Sequence, residues 1–183
     1  MDYLIYLAGP ITGLDWKSAT EWRKDLIERF KDASTGKINY IGLSPLRDKE
    51  YYLEKEDNIK DRYDEYKMST AKAITDRNIN DVRRSNLVIV NFIDAKKISI
   101  GTVLEIGAAK ALNIPIILIM EDEKQEEFFN ESVSITELNS SVNVKYLSEF
   151  KNVHDHFMIR ESSSIIASNI DEAFHFAIHL LGN

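Results

Sequence analysis

Apolar residues in this chain fall into short unbroken runs, separated by stretches where they recur every three or four positions. Four runs read as buried strands: Tyr3–Leu7, Ile38–Leu43, Leu87–Phe92 and Pro115–Met120, with Ser164–Ala167 as a weaker fifth. Runs that are apolar throughout, rather than alternating, point to a mainly parallel sheet covered on both faces. Between them, a stripe of Ala19, Trp22, Leu26, Ile27 and Phe30 predicts a helix from Ser18, where Ser18 and Glu21 have the spacing of a capping box. Further helices are predicted over Thr70–Ser85, over Thr102–Asn113 ahead of Pro115, and from Asn169 to Gly182. The last would face the core with Ile170, Ala173, Phe174, Ala177, Ile178 and Leu181. Strands alternating with helices, without repeat or linker, predict one doubly wound α/β domain over residues 1–183.

Two stretches break the alternation. Asp48–Lys67 is dense in charge and carries Tyr51, Tyr52, Tyr63 and Tyr66, while Glu121–Phe157 is first acidic and then polar. Both read as solvated excursions from the sheet edge; the sharper alternative is a pocket wall or a contact with a neighbouring subunit.

Composition adds mainly exclusions. An apolar share of 44% and a charged share of 29% are ordinary for a globular protein, and no apolar run approaches the length of a membrane span. Met1-Asp2-Tyr3-Leu4 leads straight into strand-like residues, without the pattern of a signal peptide. Cysteine is absent, which removes disulfides, a thiol nucleophile and a thiolate metal site, and agrees with a cytoplasmic location. A net charge of −7 argues against a nucleic-acid partner, and Arg83-Arg84 and Lys96-Lys97 are too short to alter that. A small ligand with one phosphate needs only a local positive site. Lys17, Arg23 and Arg47 are candidates for it, each with an ordinary surface role as the alternative.

In open parallel sheets, ligands bind beyond the carboxyl ends of the strands where strand order reverses. If Tyr3–Leu7 and Leu87–Phe92 flank that point, the loops Ala8-Gly9-Pro10-Ile11-Thr12-Gly13 and Asp94–Gly101 converge on it. Gly9-Pro10 reads as a sharp turn, or as a place where backbone closely approaches a sugar or phosphate. Glu105 follows the second loop. Thr102-x-x-Glu105 has the spacing of a capping box, so Glu105 reads either as a helix cap or as a reactive carboxylate. On the second reading, the helix N-terminus would favour the ionised form that a nucleophile needs.

Several blocks together resemble the nucleoside 2-deoxyribosyltransferase family and the related nucleotide N-glycosidases. They are Ile5-Tyr6-Leu7-Ala8-Gly9-Pro10-Ile11, Ser44-Pro45-Leu46-Arg47, Asp81 through Asn91, Ser99 through Gly107 to Pro115, and Met158-Ile159-Arg160-Glu161. The resemblance implies a flavodoxin-like, five-stranded subunit that forms a homodimer or higher oligomer, with active sites near the subunit interface. It implies a nucleoside or nucleotide substrate and calls for no cofactor and no metal. The family's catalytic glutamate falls on Glu105, which would attack C1′ to give a glycosyl-enzyme, resolved by a second base or by water. The tyrosine that orients it falls on Tyr6. Ala8, Gly9, Pro10, Ser99, Gly101, Thr102 and Arg47 fall among substrate-binding positions, and Ser163 where relatives contribute a group across the interface.

The sequence also departs from the family. The acid thought to assist the leaving base is Asn78 here, which can hydrogen-bond but cannot supply a proton, leaving Asp76 or Asp81 as substitutes. Another acid, six residues before the glutamate, is Ser99. These changes motivate a rival reading, a nucleotide-binding or sensing module on the same fold. Within the enzyme reading, transfer to another nucleobase and hydrolysis of a nucleoside 5′-monophosphate both stay open. Asp171, His175 and His179 share one face of the last helix, as a solvated face or, less commonly, a metal site. His154 and His156 read as surface residues, or as groups reaching a neighbour's site.

Overall fold

The computed structural model describes residues 1–47, 70–93, 95, 97–120 and 156–182. The two expected excursions fall almost wholly outside the described residues, as does His154. The strands are β1 (Asp2–Ala8), β2 (Asn39–Leu43), β3 (Leu87–Asn91), β4 (Ile116–Ile119) and β5 (Ile165–Ala167). They form one sheet in the order β2-β1-β3-β4-β5, parallel at every pairing. The helices are α1 (Trp16–Ala33), α2 (Ala71–Arg84), α3 (Ile100–Ala111), the single turn α4 (Phe157–Arg160) and α5 (Ile170–Gly182). This is the flavodoxin-like α/β arrangement that the apolar runs and the resemblance led us to expect.

Side chains from β1 explain why the strands carry no polar alternation. Ile5 and Leu7 join Leu26 and Phe30 of α1 and Ala173 and Ala177 of α5 in one core. Tyr6 and Ala8 join Val82 of α2 and Ile106 and Ala109 of α3 in the other. With helices on both faces, every position of a central strand is shielded from water. Packing is close at α1 on β2, where a β-carbon on Gly42 would fall 2.6 Å from Ile27 Cγ1.

Helix ends follow local hydrogen bonding. Thr70 caps α2 by accepting from the Ala73 N–H, and Ser85 follows its last turn, as the sequence led us to expect. Asn169 Oδ1 accepts from the Glu172 N–H at 2.9 Å at the start of α5. Helix α1 begins two residues before its expected start. The Asp15 carboxylate accepts from both the Ser18 N–H (2.9 Å) and its hydroxyl (2.6 Å), so Ser18 is capped rather than capping. Glu21 pairs with Lys17 at 3.6 Å instead of closing a capping box.

On α5, Asp171 pairs with Arg29 of α1, and the exposed His175 packs edge-on against Phe174. Among the described residues no three metal-ligating side chains gather, and no helix is long and apolar enough to cross a membrane.

Candidate active site

The chain leaves β1 toward β2 on one side and returns to β3 on the other, so the loops beyond β1 and β3 part at their carboxyl ends. A cavity of about 500 Å³ opens there, between the Gly9–Pro10 turn, α2 and the first turns of α3. Its lining includes Gly9, Pro10, Asn78, Ser99, Thr102 and Glu105. A second groove, on the other side of the Gly9–Pro10 turn, holds Lys17 but none of the expected catalytic residues.

Helix α3 starts at Ile100, not at Thr102, because Ser99 is its N-cap. The Ser99 hydroxyl accepts from the Thr102 N–H at 3.4 Å and lies 2.9 Å from the Thr102 hydroxyl. Glu105 is therefore in the second turn and caps nothing, which removes the structural alternative for it. The face it shares with Thr102, Ile106 and Ala109 is buried against the sheet and α2.

Glu105 is 7% exposed. One carboxylate oxygen, Oε1, accepts from the Tyr6 hydroxyl at 2.7 Å and from the Asn78 amide at 3.1 Å. Among the described residues no donor reaches Oε2, and the residue lines the cavity. Burial pushes the Glu105 carboxyl above its ordinary value, against the opposing pull of the Tyr6 hydrogen bond, the Arg23 charge and the Asn78 hydrogen bond. A second-turn position also lies beyond the strongest part of the helix dipole, so the expected help from the N-terminus is overridden by desolvation. Tyr6 is wholly buried, and its phenol is raised well above the ordinary range, first by burial and then by the Glu105 charge. It is thus a fixed donor at any working pH.

Arg23 is not a surface cation. It is 1% exposed and lies under the Gly9 turn, donating from Nε to the Leu7 carbonyl (3.1 Å), from Nη2 to the Gly9 carbonyl (3.0 Å) and from Nη1 to the Ala19 carbonyl. Its guanidinium lies 4.3 Å from the centre of the Trp22 ring. Gly9 has φ of 153°, and a β-carbon there would meet the Asn91 carbonyl oxygen at 2.8 Å.

The remaining expected residues divide clearly. Ser99, Gly101, Thr102, Gly9 and Pro10 line the cavity with Glu105 and Asn78. Ala8 is wholly buried in β1 behind the turn. Asn78 lines the cavity, with its amide nitrogen donating to Glu105. Asp81 is not a free acid: it is buried one turn along α2, with Arg47 at 2.5 Å and Arg84 at 2.9 Å. Arg47 is thereby committed to Asp81 and to the Ser44 carbonyl. Asp76 pairs with Lys72 on the exposed face of α2. Ser163 donates to the Arg160 carbonyl beside the amino ends of β4 and β5, at the opposite end of the sheet from the cavity. His156 caps α4 through Nδ1.

Two features escaped the sequence reading. Lys97, half of a short basic pair in the sequence, is the one cation among the described residues lining the cavity. Its place in the loop after β3 was the available signal. Arg23 falls between Ala19 and Leu26 on the apolar stripe of α1, a position that already marks it as buried.

The family model described as nucleoside 2-deoxyribosyltransferase matches residues 5–166. The chain belongs to this family. No curated protein matches it. Among solved structures, this deoxyribosyltransferase-family chain is similar to a conserved protein from Enterococcus faecalis V583, at 19% identity and a TM-score of 0.58, covering 99% of this chain and 100% of that one. A molybdenum cofactor binding protein from Rippkaea orientalis is similar at 14% identity and a TM-score of 0.50, covering 99% and 98%. The CMP N-glycosidase of Clostridium botulinum is 16% identical, with a TM-score of 0.45 and coverage of 97% and 99%. At these identities the structural likeness speaks for the fold alone.

Proposed function

We propose that this family member cleaves the N-glycosidic bond of a (deoxy)nucleoside or nucleotide with Glu105 as nucleophile, and passes the 2-deoxyribosyl group to another nucleobase. The observation that carries this reading is the unequal treatment of the two oxygens of this cavity-lining carboxylate: Oε1 is held by Tyr6 and Asn78, and no donor among the described residues holds Oε2. In the proposed step a bond forms from Oε2 to C1′ while the C1′–N bond breaks, and its electron pair leaves with the base. In this step the base takes its proton from water, and Glu105 is the only carboxyl group among the described lining residues. A second base, or water, then attacks C1′ and releases the carboxylate.

One observation favours the hydrolysis of nucleoside 5′-monophosphates as a second reading. The first turn of α3, with Ser99 and Gly101, and the Lys97 side chain all line the cavity, which suits a phosphate group. We also infer a homo-oligomer, since α3 turns a second apolar face to solvent, with Ile100 80% and Leu104 54% exposed at the cavity rim. An apolar face of this kind on a helix that also packs inward suits burial against a second copy.

Incubation with each deoxynucleoside and deoxynucleoside 5′-monophosphate, with and without an acceptor base, separates these readings. Base exchange only with acceptor indicates transfer; free base without acceptor indicates hydrolysis. Tight retention of nucleotide with no base released would leave a binding module and sink the enzymatic reading.

A further inference from the structure

The site contains two buried ionic groups of opposite sign that do not touch. Glu105 is held from β1 and α2, whereas the Arg23 guanidinium lies on the α1 side, and among the described residues no carboxylate is within ion-pair distance of it. A fully desolvated guanidinium is costly unless a counter-charge and hydrogen bonds offset the loss of water. The hydrogen bonds are the three main-chain carbonyls, two of them in β1 and the turn after it. The counter-charge must come from elsewhere.

The charged groups around Glu105 leave few choices. Tyr6 faces it from β1 as a neutral phenol, and Asn78 faces it from α2 as an amide. Asp81, further along α2, already has Arg47 and Arg84. Lys97 is on the cavity wall, open to solvent. Among the described residues Arg23, on α1, is the buried cation, bound to the Gly9 turn that lines the same cavity as Glu105.

Resting on the nucleophile assignment above, we propose that Arg23 is a positioning residue for Glu105: it holds the Gly9 carbonyl and the turn that forms one cavity wall, and it supplies the buried counter-charge that keeps Glu105 a carboxylate. The electrostatics agree with this: the Arg23 charge lowers the Glu105 carboxyl, and burial brings the Arg23 guanidinium down to about 10 against the opposing effects of Tyr6 and Glu105. Arginine suits the position because its planar fork reaches carbonyls on α1, β1 and the turn at once, which a lysine ammonium cannot do with fixed geometry.

The test has two arms, one of them independent of catalysis. In the first, melting temperatures are measured at pH 7 for wild type, Arg23→Gln, Glu105→Gln and the double variant. The expected result is a larger gain from Glu105→Gln in the Arg23→Gln background, where it removes an uncompensated buried charge; a double variant that folds when Arg23→Gln alone does not is the same result. Additive shifts overturn the proposal. In the second arm, the pH dependence of kcat is followed with whichever member of the deoxynucleoside and deoxynucleotide panel releases base. Loss of the counter-charge raises the Glu105 carboxyl further, so the acid limb moves to higher pH, with about tenfold less activity below the limb per pH unit of displacement. Arg23→Lys keeps the limb in place and raises KM, because the charge remains and the fork does not. An unmoved limb in folded Arg23→Gln, or a wild-type KM in Arg23→Lys, overturns the proposal. If wild type releases base from no member, the nucleophile reading fails, and the melting arm still decides whether Arg23 and Glu105 are coupled.

Discussion

The hydroxyl of Tyr6 and the carboxylate of Glu105, ninety-nine positions apart in the chain, meet in a buried hydrogen bond of 2.7 Å. A hydrogen bond to a buried charge contributes about 1.5–3 kcal/mol, and Tyr6→Phe removes this one without opening a large void. The expected loss in kcat is on the order of 10- to 100-fold, with the acid limb of the pH profile moved upward. A Phe variant with wild-type kcat and limb would show that Tyr6 merely fills space.

Glu105 should govern stability and activity in opposite directions. Its folded-state carboxyl is raised above the ordinary 4.5, so the native state binds its proton more tightly than the unfolded chain does. The stabilising contribution is full below the unfolded value and is lost as pH rises through the folded one. Glu105→Gln removes that loss. It is expected to melt higher than wild type at pH 7, with the difference closing below about pH 4, while base release or exchange is abolished. Thermal melts across pH, set beside product analysis, check both halves; a variant with normal turnover ends the nucleophile assignment.

Asn78→Asp places an acid at the position where the resemblance to the family implies one. Here the new carboxyl would stand about where the amide now donates to Glu105 Oε1, at 3.1 Å. Two carboxyl groups this close share a proton, so the acid limb of kcat is expected to rise in pH. Titration of activity between pH 4 and pH 8 gives the answer (~0.5 unit steps suffice). An unshifted limb would place the two side chains apart in solution.

Gly9→Ala is expected to cost about 1–3 kcal/mol in a urea titration. The strain has two sources, the φ of 153° and the 2.8 Å approach to the Asn91 carbonyl oxygen. A neutral result would mean that the turn can shift freely.

Val103→Arg tests the inferred assembly. Val103 is 37% exposed on the outward apolar face of α3 and does not line the cavity. Light scattering should report a homo-oligomer for wild type and a smaller species for the variant. A wild-type monomer would remove this face as an interface.

The sheet was legible because burial on both faces writes itself into the chain as uninterrupted apolar runs, and the switch point followed from their order. Helix α2 was legible at both ends because Thr70 and Ser85 each have a short hydroxyl next to the helical pattern. The start of α3 was misread because Ser99 and Thr102 are both competent caps, and Thr102-x-x-Glu105 fits the commoner motif. Which hydroxyl wins depends on the path of the loop from β3, and spacing does not contain that path. The same reason hid the fates of Asp81, Arg47 and Arg23. Each is a charged residue whose partner lies on another element, and a pairing across elements exists only once the sheet order is known. The polar face of α5 was read correctly as solvated in pattern, but its Asp171–Arg29 contact with α1 belongs to that same class.

The hydrogen bond between Tyr6 and Glu105 also has a consequence in time. A chain emerging from the ribosome delivers Tyr6, Arg23 and Asn78 long before residue 105, and β1 obtains its second neighbour only when β3 appears. Until α3 packs on the sheet there is no supported carboxylate, so a partly synthesised or truncated chain lacking residue 105 is expected to be inert in the base-release assay. Competence therefore waits on α3, which enters the chain only after β3.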